Sequence, residues 1–192
     1  MNLAAVVLAA GHATRFGGDK LSAPLHGEPL LFHAIRAARA APVSRVIVVA
    51  RPDLETGLWP DTPPVEVIRL NSRALSETLK TGIAAASNAE GAFIFLGDMP
   101  AVPHEEAARL AAMLDRAYAA LPRHGGRPGH PVLLSARAFA DIATLAGDEG
   151  AGRLLRTRSD VVFDDCSDAA IHFDVDRPED LSALAVKSSV PD

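Results

Sequence analysis

The sequence predicts an α/β fold built around a mostly parallel β-sheet with helices on both faces. Short apolar runs rich in β-branched residues alternate with segments of helical periodicity, which is typical of parallel sheets with right-handed crossovers. The early runs are apolar at every position, as expected for strands that are covered on both faces. After Pro131 the runs are shorter, and that part of the sheet has room for an antiparallel strand. The predicted strands are residues 3–8, 46–49, 65–68, 93–96, 132–134, 161–163 and 171–173.

Several segments between and after these runs show the spacing of amphipathic helices. The first begins with Pro29, a residue suited to the first helical position. The second places Leu79, Ile83 and Ala86 on one face, and the third repeats apolar residues at the same spacing. The last begins near Pro178. The predicted helices are residues 29–40, 76–87, 103–118 and 178–186.

Length and charge limit the classes of protein that this chain can form. A chain of 192 residues predicts a single domain over residues 1–192, and 48% of its residues are apolar. The net charge of −5 provides no overall basic field for nucleic acid, so an anionic ligand has to be bound by local cations. No run approaches the roughly 20 apolar residues of a membrane span, and the apolar start lacks a positively charged leader. We therefore expect neither nucleic acid nor a membrane among the partners.

The cysteine content indicates the compartment. Cys166 is the single cysteine, so no internal disulfide can form, and a reducing, cytoplasmic location is predicted. The acidic neighbours Asp165 and Asp168 disfavour a thiolate, so a nucleophilic role for Cys166 is not expected.

The first predicted strand is followed by a loop that suits an anionic ligand. The apolar run stops at Gly11, where a glycine lets the backbone turn and approach a ligand closely. The loop then carries Arg15, Gly17 and Lys20. Backbone N–H groups in such a loop can face an anion, and the two cations add full charges. The loop is a candidate site for a nucleoside triphosphate, against the alternative of an ordinary connection with surface cations.

Spacing excludes two common phosphate-binding motifs. A P-loop requires a glycine where Phe16 stands, and a serine or threonine after the lysine where Leu21 stands. A dinucleotide-binding fingerprint requires a glycine at the position of Ala13. The loop therefore follows a third pattern.

Residues 8–21 read Leu-Ala-Ala-Gly, three residues, Arg-Phe-Gly, two residues and Lys-Leu. This pattern resembles the signature loop of the MobA-like nucleotidyltransferases and, more narrowly, of the molybdenum cofactor cytidylyltransferases. The resemblance implies a single Rossmann-like domain of the glycosyltransferase-A type, which transfers a nucleoside monophosphate from a triphosphate to a phosphate acceptor and releases pyrophosphate. Further matches follow in the family's order at residues 97–100 (Gly-Asp-Met-Pro), 127–134, 147–151 and 173–181.

The resemblance also implies roles around the nucleotide. Arg15 and Lys20 would stabilise charge on the transferring and leaving phosphates, with Asp98 as the third catalytic residue. Leu-Ala-Ala-Gly favours CTP, because family members that use GTP tend to carry Leu-Ala-Gly-Gly. Residues 76–82 resemble a family segment near the nucleotide, although Ser76 also fits a helix N-cap. The residues expected to bind the nucleotide are Leu8, Ala9, Ala10, Gly11, Arg15, Gly17, Lys20, Ser76 and Thr78.

Carboxylates follow two of the strands at the predicted binding edge. Gly11 ends the first apolar run and Gly97-Asp98 ends the strand predicted at residues 93–96, so both lie at the carboxyl edge of the sheet, where ligands bind. Asp98 is suited to hold Mg²⁺ over a triphosphate, and the resemblance favours this over a plain turn residue. The second ligand is expected from Asp174 or Asp176. Asp174 is slightly preferred because it follows a predicted strand directly, and the alternative for Asp176 is to stabilise the start of the last helix.

Residues 121–130 are predicted as a loop that closes over the acceptor, with Arg127 and His130 as its candidate binding residues. The resemblance implies that the acceptor is the phosphate of a molybdopterin-type cofactor, with a molybdoenzyme or maturation factor as a possible client. Three alternatives stay open, namely GTP as donor, CTP with a sugar-alcohol phosphate, and a non-catalytic cofactor carrier. A carrier has no need of a triphosphate clamp such as Arg15, Lys20 and Asp98.

Overall fold

The computed structural model describes residues 1–11 and 16–187. A central sheet of eight strands carries the fold, and a separate two-stranded ribbon lies beside it. In chain order, strands β1 to β10 are Leu3–Ala9, Pro24–Leu25, Glu28–Pro29, Arg45–Ala50, Val65–Arg69, Gly91–Leu96, Ala119–His124, Arg127–Pro128, Val132–Ser135 and Val161–Asp165.

The sheet is mostly parallel, as the sequence predicts. Its strands lie in the order β10-β7-β9-β6-β1-β4-β5, while β8 pairs with β7. The pairs β5–β4, β4–β1, β1–β6 and β7–β10 are parallel. β9 is antiparallel to both of its neighbours, β6 and β7. The expectation of an antiparallel strand after Pro131 is therefore confirmed.

Helices cover both faces of the sheet. One face packs against α1, α3 and α6, and the other packs against α2, α4 and α5. In the part of the chain that the structure describes, no helix is both long and apolar enough to cross a membrane. Helices α1 to α6 are Leu30–Ala40, Leu75–Ala85, Glu106–Met113, Phe139–Ile142, Gly152–Leu155 and Pro178–Lys187.

The central strand β1 shows why its sequence is apolar without alternation. Every one of its residues is buried. Its odd-numbered residues, including Leu3 and Val7, join the core on the α1 face, whereas Val6 and Leu8 join the core on the α2 face. Burial on both faces accounts for the continuous apolar run.

Two predicted elements differ from the structure. The helix predicted at residues 103–118 spans only Glu106–Met113. The buried residues Leu114 and Tyr118 continue the helical spacing of apolar residues in the sequence, yet they lie on the turn into β7. The strand predicted at residues 171–173 is instead a short 3₁₀ helix, Ala169–His172. In both places an apolar pattern that reflects burial does not by itself distinguish the kind of element.

The loop predicted at residues 121–130 is also wrong in part. Residues 121–124 complete β7, and β8 returns antiparallel to it. The turn between them is made by Gly125 and Gly126, whose φ angles are +57° and +81°. Two consecutive residues with positive φ are what a tight hairpin turn needs, and glycine adopts them without strain. The segment therefore forms a hairpin of β7 and β8.

Gly82 marks the closest approach of α2 to the sheet and gives a test of the packing. A Cβ atom there would lie 2.2 Å from Cγ1 of Val6, a residue with no exposed surface. We expect Gly82→Ala to lower the free energy of unfolding by about 1–3 kcal/mol, the usual range for an overpacked core. Urea titration measures this. The control is Gly152→Ala, where an added Cβ meets nothing within 4 Å; equal midpoints for the two variants would contradict the packing argument.

Candidate active site

The candidate site lies where β1 and β6 end side by side. These strands are parallel, and Leu8 is in register with Leu96, so the segments that follow them leave the sheet together. The N–H of Gly97 donates to the carbonyl oxygen of Leu8 at 3.0 Å. A Cβ on Gly97 would lie 3.0 Å from that same oxygen. The close backbone approach therefore brings Asp98 next to the end of β1, as the sequence predicts.

Lys20 joins two acidic segments that are far apart in sequence. Its Nζ lies 2.7 Å from Oδ2 of Asp98 and 3.4 Å from Oδ1 of Asp176. Only 11% of the Lys20 side chain is exposed. The structure thus brings together three of the residues that the sequence analysis singles out, around one largely buried ammonium group.

The same geometry separates Asp174 from Asp176. Val175, between them, is fully buried, and its N–H donates to the carbonyl oxygen of Asp98 at 2.9 Å. This bond holds the segment against the end of β6. Asp176 faces Lys20, while Asp174 is exposed. Asp180 accepts hydrogen bonds from the N–H groups of Asp176 and Arg177, at 2.9 and 2.8 Å, so it is Asp180 that stabilises the start of α6.

The residues expected along the nucleotide loop are placed as follows. Leu8 and Ala9 end β1, and Ala10 is fully buried just beyond it. Gly11 is exposed, and Gly17 has a φ of +76°. Arg15 lies outside the described residues, so its role stays a prediction.

Ser76 and Thr78 lie in the first turn of α2 and are each 2% exposed. The N-cap of α2 is Ala74, so the alternative that Ser76 caps this helix is wrong. Glu77 supports the turn instead, because it accepts a hydrogen bond from the N–H of Arg73 at 2.8 Å. The backbone N–H of Ser76 donates to the carbonyl oxygen of Gly147 at 3.1 Å, which ties α2 to residues 147–151.

His130 lies within electrostatic range of Asp98 and Asp174. The N–H of His130 donates to the carbonyl oxygen of Ile171 at 2.9 Å. Burial lowers the pKa of His130 below its ordinary value of 6.5, although the charges of Asp98 and Asp174 oppose this. His130 is therefore neutral near pH 7. Arg127 is exposed on the β7–β8 hairpin.

A pair of imidazoles, which the sequence analysis does not select, lies at that hairpin. The rings of His124 and His172 meet edge to face, with centroids 6.1 Å apart. Nε2 of His172 lies 3.0 Å from the carbonyl oxygen of Arg127. The pairing depends on the 3₁₀ helix at Ala169–His172, which the sequence pattern misidentifies as a strand.

A cavity of about 440 Å³ lies next to the acidic segments. Pro100 and Phe173 line it, and each is within two residues of an aspartate named above. His26, His33 and Asp168 supply polar groups. Its volume is within the usual range for small-molecule sites. Cys166 plays no part in it, and burial raises the pKa of the Cys166 thiol, which agrees with the expectation of an unreactive cysteine.

The carboxylates at this edge fit a hard divalent cation. Asp98 and Asp176 present oxygen ligands toward one shared cationic group, the Lys20 ammonium. Among the described residues, no group of three or more His, Cys, Asp and Glu could hold a metal. Mg²⁺ and similar ions need only one or two carboxylates when phosphate oxygens and waters complete the shell. The donor set is therefore adequate for a metal that arrives with a triphosphate.

A Rossmann-like α/β sheet with a buried lysine and paired carboxylates at its carboxyl edge has the arrangement of a nucleotide-binding α/β protein. The chain belongs to the family described as the MobA-like NTP transferase domain, which it matches over residues 5–162. It is a nucleotidyltransferase of that family.

Individual relatives agree with this family. The chain is 28% identical over 167 residues to the purine catabolism protein PucB of Bacillus subtilis, with 81% of each chain covered. It is 35% identical over 130 residues to a 2-C-methyl-D-erythritol 4-phosphate cytidylyltransferase of Cereibacter sphaeroides, covering 64% of this chain and 58% of that protein. Among solved structures, Rv0371c of Mycobacterium tuberculosis H37Rv superposes with a TM-score of 0.82 at 25% identity, covering 99% of this chain and 100% of that one. Rv0371c has also been solved in complex with manganese.

Proposed function

We propose that residues 1–192 form one divalent-metal-dependent cytidylyltransferase domain, closest in type to the molybdenum cofactor cytidylyltransferases. It acts in the cytoplasm and transfers CMP from CTP to the phosphate of a molybdopterin-type cofactor. The observation that carries the proposal is the contact of Lys20 with both Asp98 and Asp176 at the end of β1 and β6. A cofactor carrier has no use for such an arrangement, whereas a triphosphate-cleaving enzyme requires one.

The reaction needs positioning more than acid–base chemistry. An oxygen of the acceptor phosphate attacks the α-phosphorus of CTP, a new P–O bond forms, and the bond to the bridging oxygen breaks to release pyrophosphate. A phosphate monoester is already an anionic nucleophile near neutral pH, so no side chain has to remove a proton. The protein contributes orientation and stabilisation of the charge that builds on the phosphates.

Lys20 has the central role in this proposal. When the nucleotide binds, its ammonium donates to phosphate oxygens and stabilises the charge of the leaving pyrophosphate. Arg15 adds a planar guanidinium from the same loop, which suits bidentate contact with phosphate. Asp98 and Asp176 would hold a divalent ion, Mg²⁺ in our proposal, which would supply Lewis-acid polarisation of the phosphates. Asp174 serves as a further ligand only if its exposed side chain turns toward that ion.

The donor nucleotide is bound by the segments that frame β1. Leu8, Ala9, Ala10, Gly11 and Gly17 provide backbone groups for base and phosphates, and Ser76 and Thr78 provide hydroxyls from the first turn of α2. The buried Ala10 favours CTP over GTP by the family pattern. The resemblance to a curated cytidylyltransferase supports the same base.

We assign the acceptor to Arg127 and His130, the first an exposed cation and the second a neutral imidazole near Asp98. A molybdoenzyme or a maturation factor would then receive the product. The alternative acceptor, a sugar-alcohol phosphate, is favoured by one specific observation, the substrate in the name of the Cereibacter relative.

Pyrophosphate release tests the proposal directly. Each of the four ribonucleoside triphosphates is offered with Mg²⁺, with and without freshly prepared molybdopterin cofactor or 2-C-methyl-D-erythritol 4-phosphate. We expect release only with CTP and only with molybdopterin. Release with GTP would overturn the base assignment, and release with the erythritol phosphate would overturn the acceptor. A folded protein that binds molybdopterin yet releases no pyrophosphate with any triphosphate would support the carrier.

A further inference from the structure

We propose that Arg51 is a positioning residue that holds Lys20 in place through Asp19. The effect of Arg51 on kcat rests on the nucleotidyl transfer proposed above, whereas its effect on the position of Lys20 does not. Arg51 lies directly after β4, the parallel neighbour of β1, and is only 6% exposed. Nothing in the sequence pattern around it suggests a role at the site.

Arg51 is fixed by its backbone as well as by its side chain. Its N–H donates to the carbonyl oxygen of Ala9 at 3.4 Å, and its own carbonyl oxygen accepts from Nη1 of Arg69 at 3.1 Å. The guanidinium forms ion pairs with Asp19 and, at 3.2 Å, with Asp53. Asp53 is 77% exposed, whereas the Asp19 side chain is 40% exposed. A rigid, buried cation at the sheet edge therefore anchors the more protected of two carboxylates.

Asp19 connects that anchor to the turn that carries Lys20. Its carboxylate caps the 3₁₀ helix Lys20–Ser22 by accepting a hydrogen bond from the N–H of Ser22 at 3.4 Å. Partial burial alone would raise the pKa of Asp19. Hydrogen bonds from Ser22 and Arg51 outweigh this and hold the pKa below its ordinary value. Asp19 is therefore ionised at neutral pH and accepts from both Ser22 and Arg51.

The turn needs such an anchor because it has little stability of its own. It contains three residues, and one turn of 3₁₀ helix does not persist alone. Gly17 and Gly18 precede Asp19 and leave the backbone before it with few restraints. The Lys20 side chain is held at its far end by Asp98, and the next residue, Leu21, is buried in the core. The Arg51–Asp19 pair adds a restraint on the residue that precedes Lys20.

The kinetic test compares variants of both partners. Arg51→Met should lower kcat for CMP transfer by about 10- to 100-fold with little change in KM for CTP, because a misplaced ammonium loses transition-state contacts first. Asp19→Asn keeps an oxygen for the Ser22 N–H but loses the charge, and should show the same pattern. Asp53→Asn removes the other ion pair of Arg51 and should leave kcat unchanged. Equal losses in all three variants would overturn the proposal.

A double-mutant cycle then separates positioning from general support of the fold. If Arg51 acts through Lys20, then Arg51→Met should cause no further loss of kcat once Lys20 is already methionine. Arg51→Lys should restore part of the activity, because lysine keeps the charge but not the planar fork. Additive losses in the cycle would assign Arg51 a role that does not pass through Lys20, which overturns the inference.

A readout without turnover distinguishes this inference from the proposed function. The lysines of the chain are Lys20, Lys80 and Lys187, so acylation by an amine reagent can be followed at each by peptide mass spectrometry. In the wild type, Lys20 should react more slowly than Lys80, which is half-buried on α2. Arg51→Met and Asp19→Asn should raise the acylation rate of Lys20 several-fold without changing the acylation rate of Lys80.

If no triphosphate is turned over but the acylation rate of Lys20 rises in these variants, the proposed function fails and the positioning role stands. An unchanged Lys20 rate overturns the positioning role.

Discussion

Lys20→Met should lower kcat for nucleotidyl transfer by about 10²- to 10³-fold, the usual effect of removing one preorganised group that stabilises transition-state charge. Methionine keeps most of the apolar stem that fills this nearly closed position, so the change removes chiefly the charge. KM for CTP should rise much less than kcat falls, because the charge on the leaving pyrophosphate is larger in the transition state than in bound CTP. Steady-state kinetics of pyrophosphate release with saturating acceptor measure both constants.

The control for this variant is Arg137→Met. Arg137 follows β9, whose last residue Ser135 is in register with Gly91 at the start of β6, so it lies at the opposite end of the sheet from Asp98. It pairs with Asp160 at 3.0 Å, and its replacement should leave kcat and KM unchanged. Urea unfolding of both variants checks that the fold is retained, since Lys20→Met leaves Asp98 and Asp176 facing each other without their shared cation. A loss expressed mainly in KM, with kcat retained, would mean that Lys20 binds the ground state only and has no part in the chemical step.

The sequence is informative about the centre of the site for a clear physical reason. β1 and β6 are apolar on both faces and a glycine follows each within two residues, so their parallel order places Gly11 and Asp98 at one edge before any coordinates are known. Which of Asp174 and Asp176 faces Lys20 is a question of another kind. It depends on the hydrogen bond from Val175 to Asp98, a contact between segments more than seventy residues apart that no local pattern encodes.

The segments around that centre show where periodicity is insufficient. Tyr118 follows helical spacing, but it is buried ahead of β7, where its hydroxyl donates to Asp141 at 2.7 Å. Burial and this hydrogen bond raise the pKa of Tyr118 to about 12, as expected for a phenol that is kept neutral inside the fold. Arg51 illustrates the same limit. An arginine after a buried strand resembles any surface cation until its partner, thirty-two positions earlier, is brought next to it.

Replacing the two carboxylates that face Lys20 should weaken the metal site, and replacing their exposed neighbour should not. We expect Asp98→Asn and Asp176→Asn each to lower kcat/KM by about 10²-fold, or about 3 kcal/mol of transition-state stabilisation. Asp174→Asn is the matched control, because it has the same chemistry two residues away but an exposed side chain. The measurement is kcat/KM over a range of Mg²⁺ and Mn²⁺ concentrations.

The metal dependence distinguishes a lost ligand from a displaced Lys20, since both aspartates also pair with that ammonium. A lost ligand raises the metal concentration required for half-maximal rate, and added Mn²⁺ restores part of the activity. A displaced lysine lowers the rate equally at all metal concentrations. Titration of Mn²⁺ into protein saturated with a non-hydrolysable CTP analogue should accordingly show weaker binding for Asp98→Asn and Asp176→Asn and unchanged binding for Asp174→Asn. Weaker binding for Asp174→Asn alone would identify Asp174 as the second metal ligand. Asp176 would then be a partner of Lys20 only.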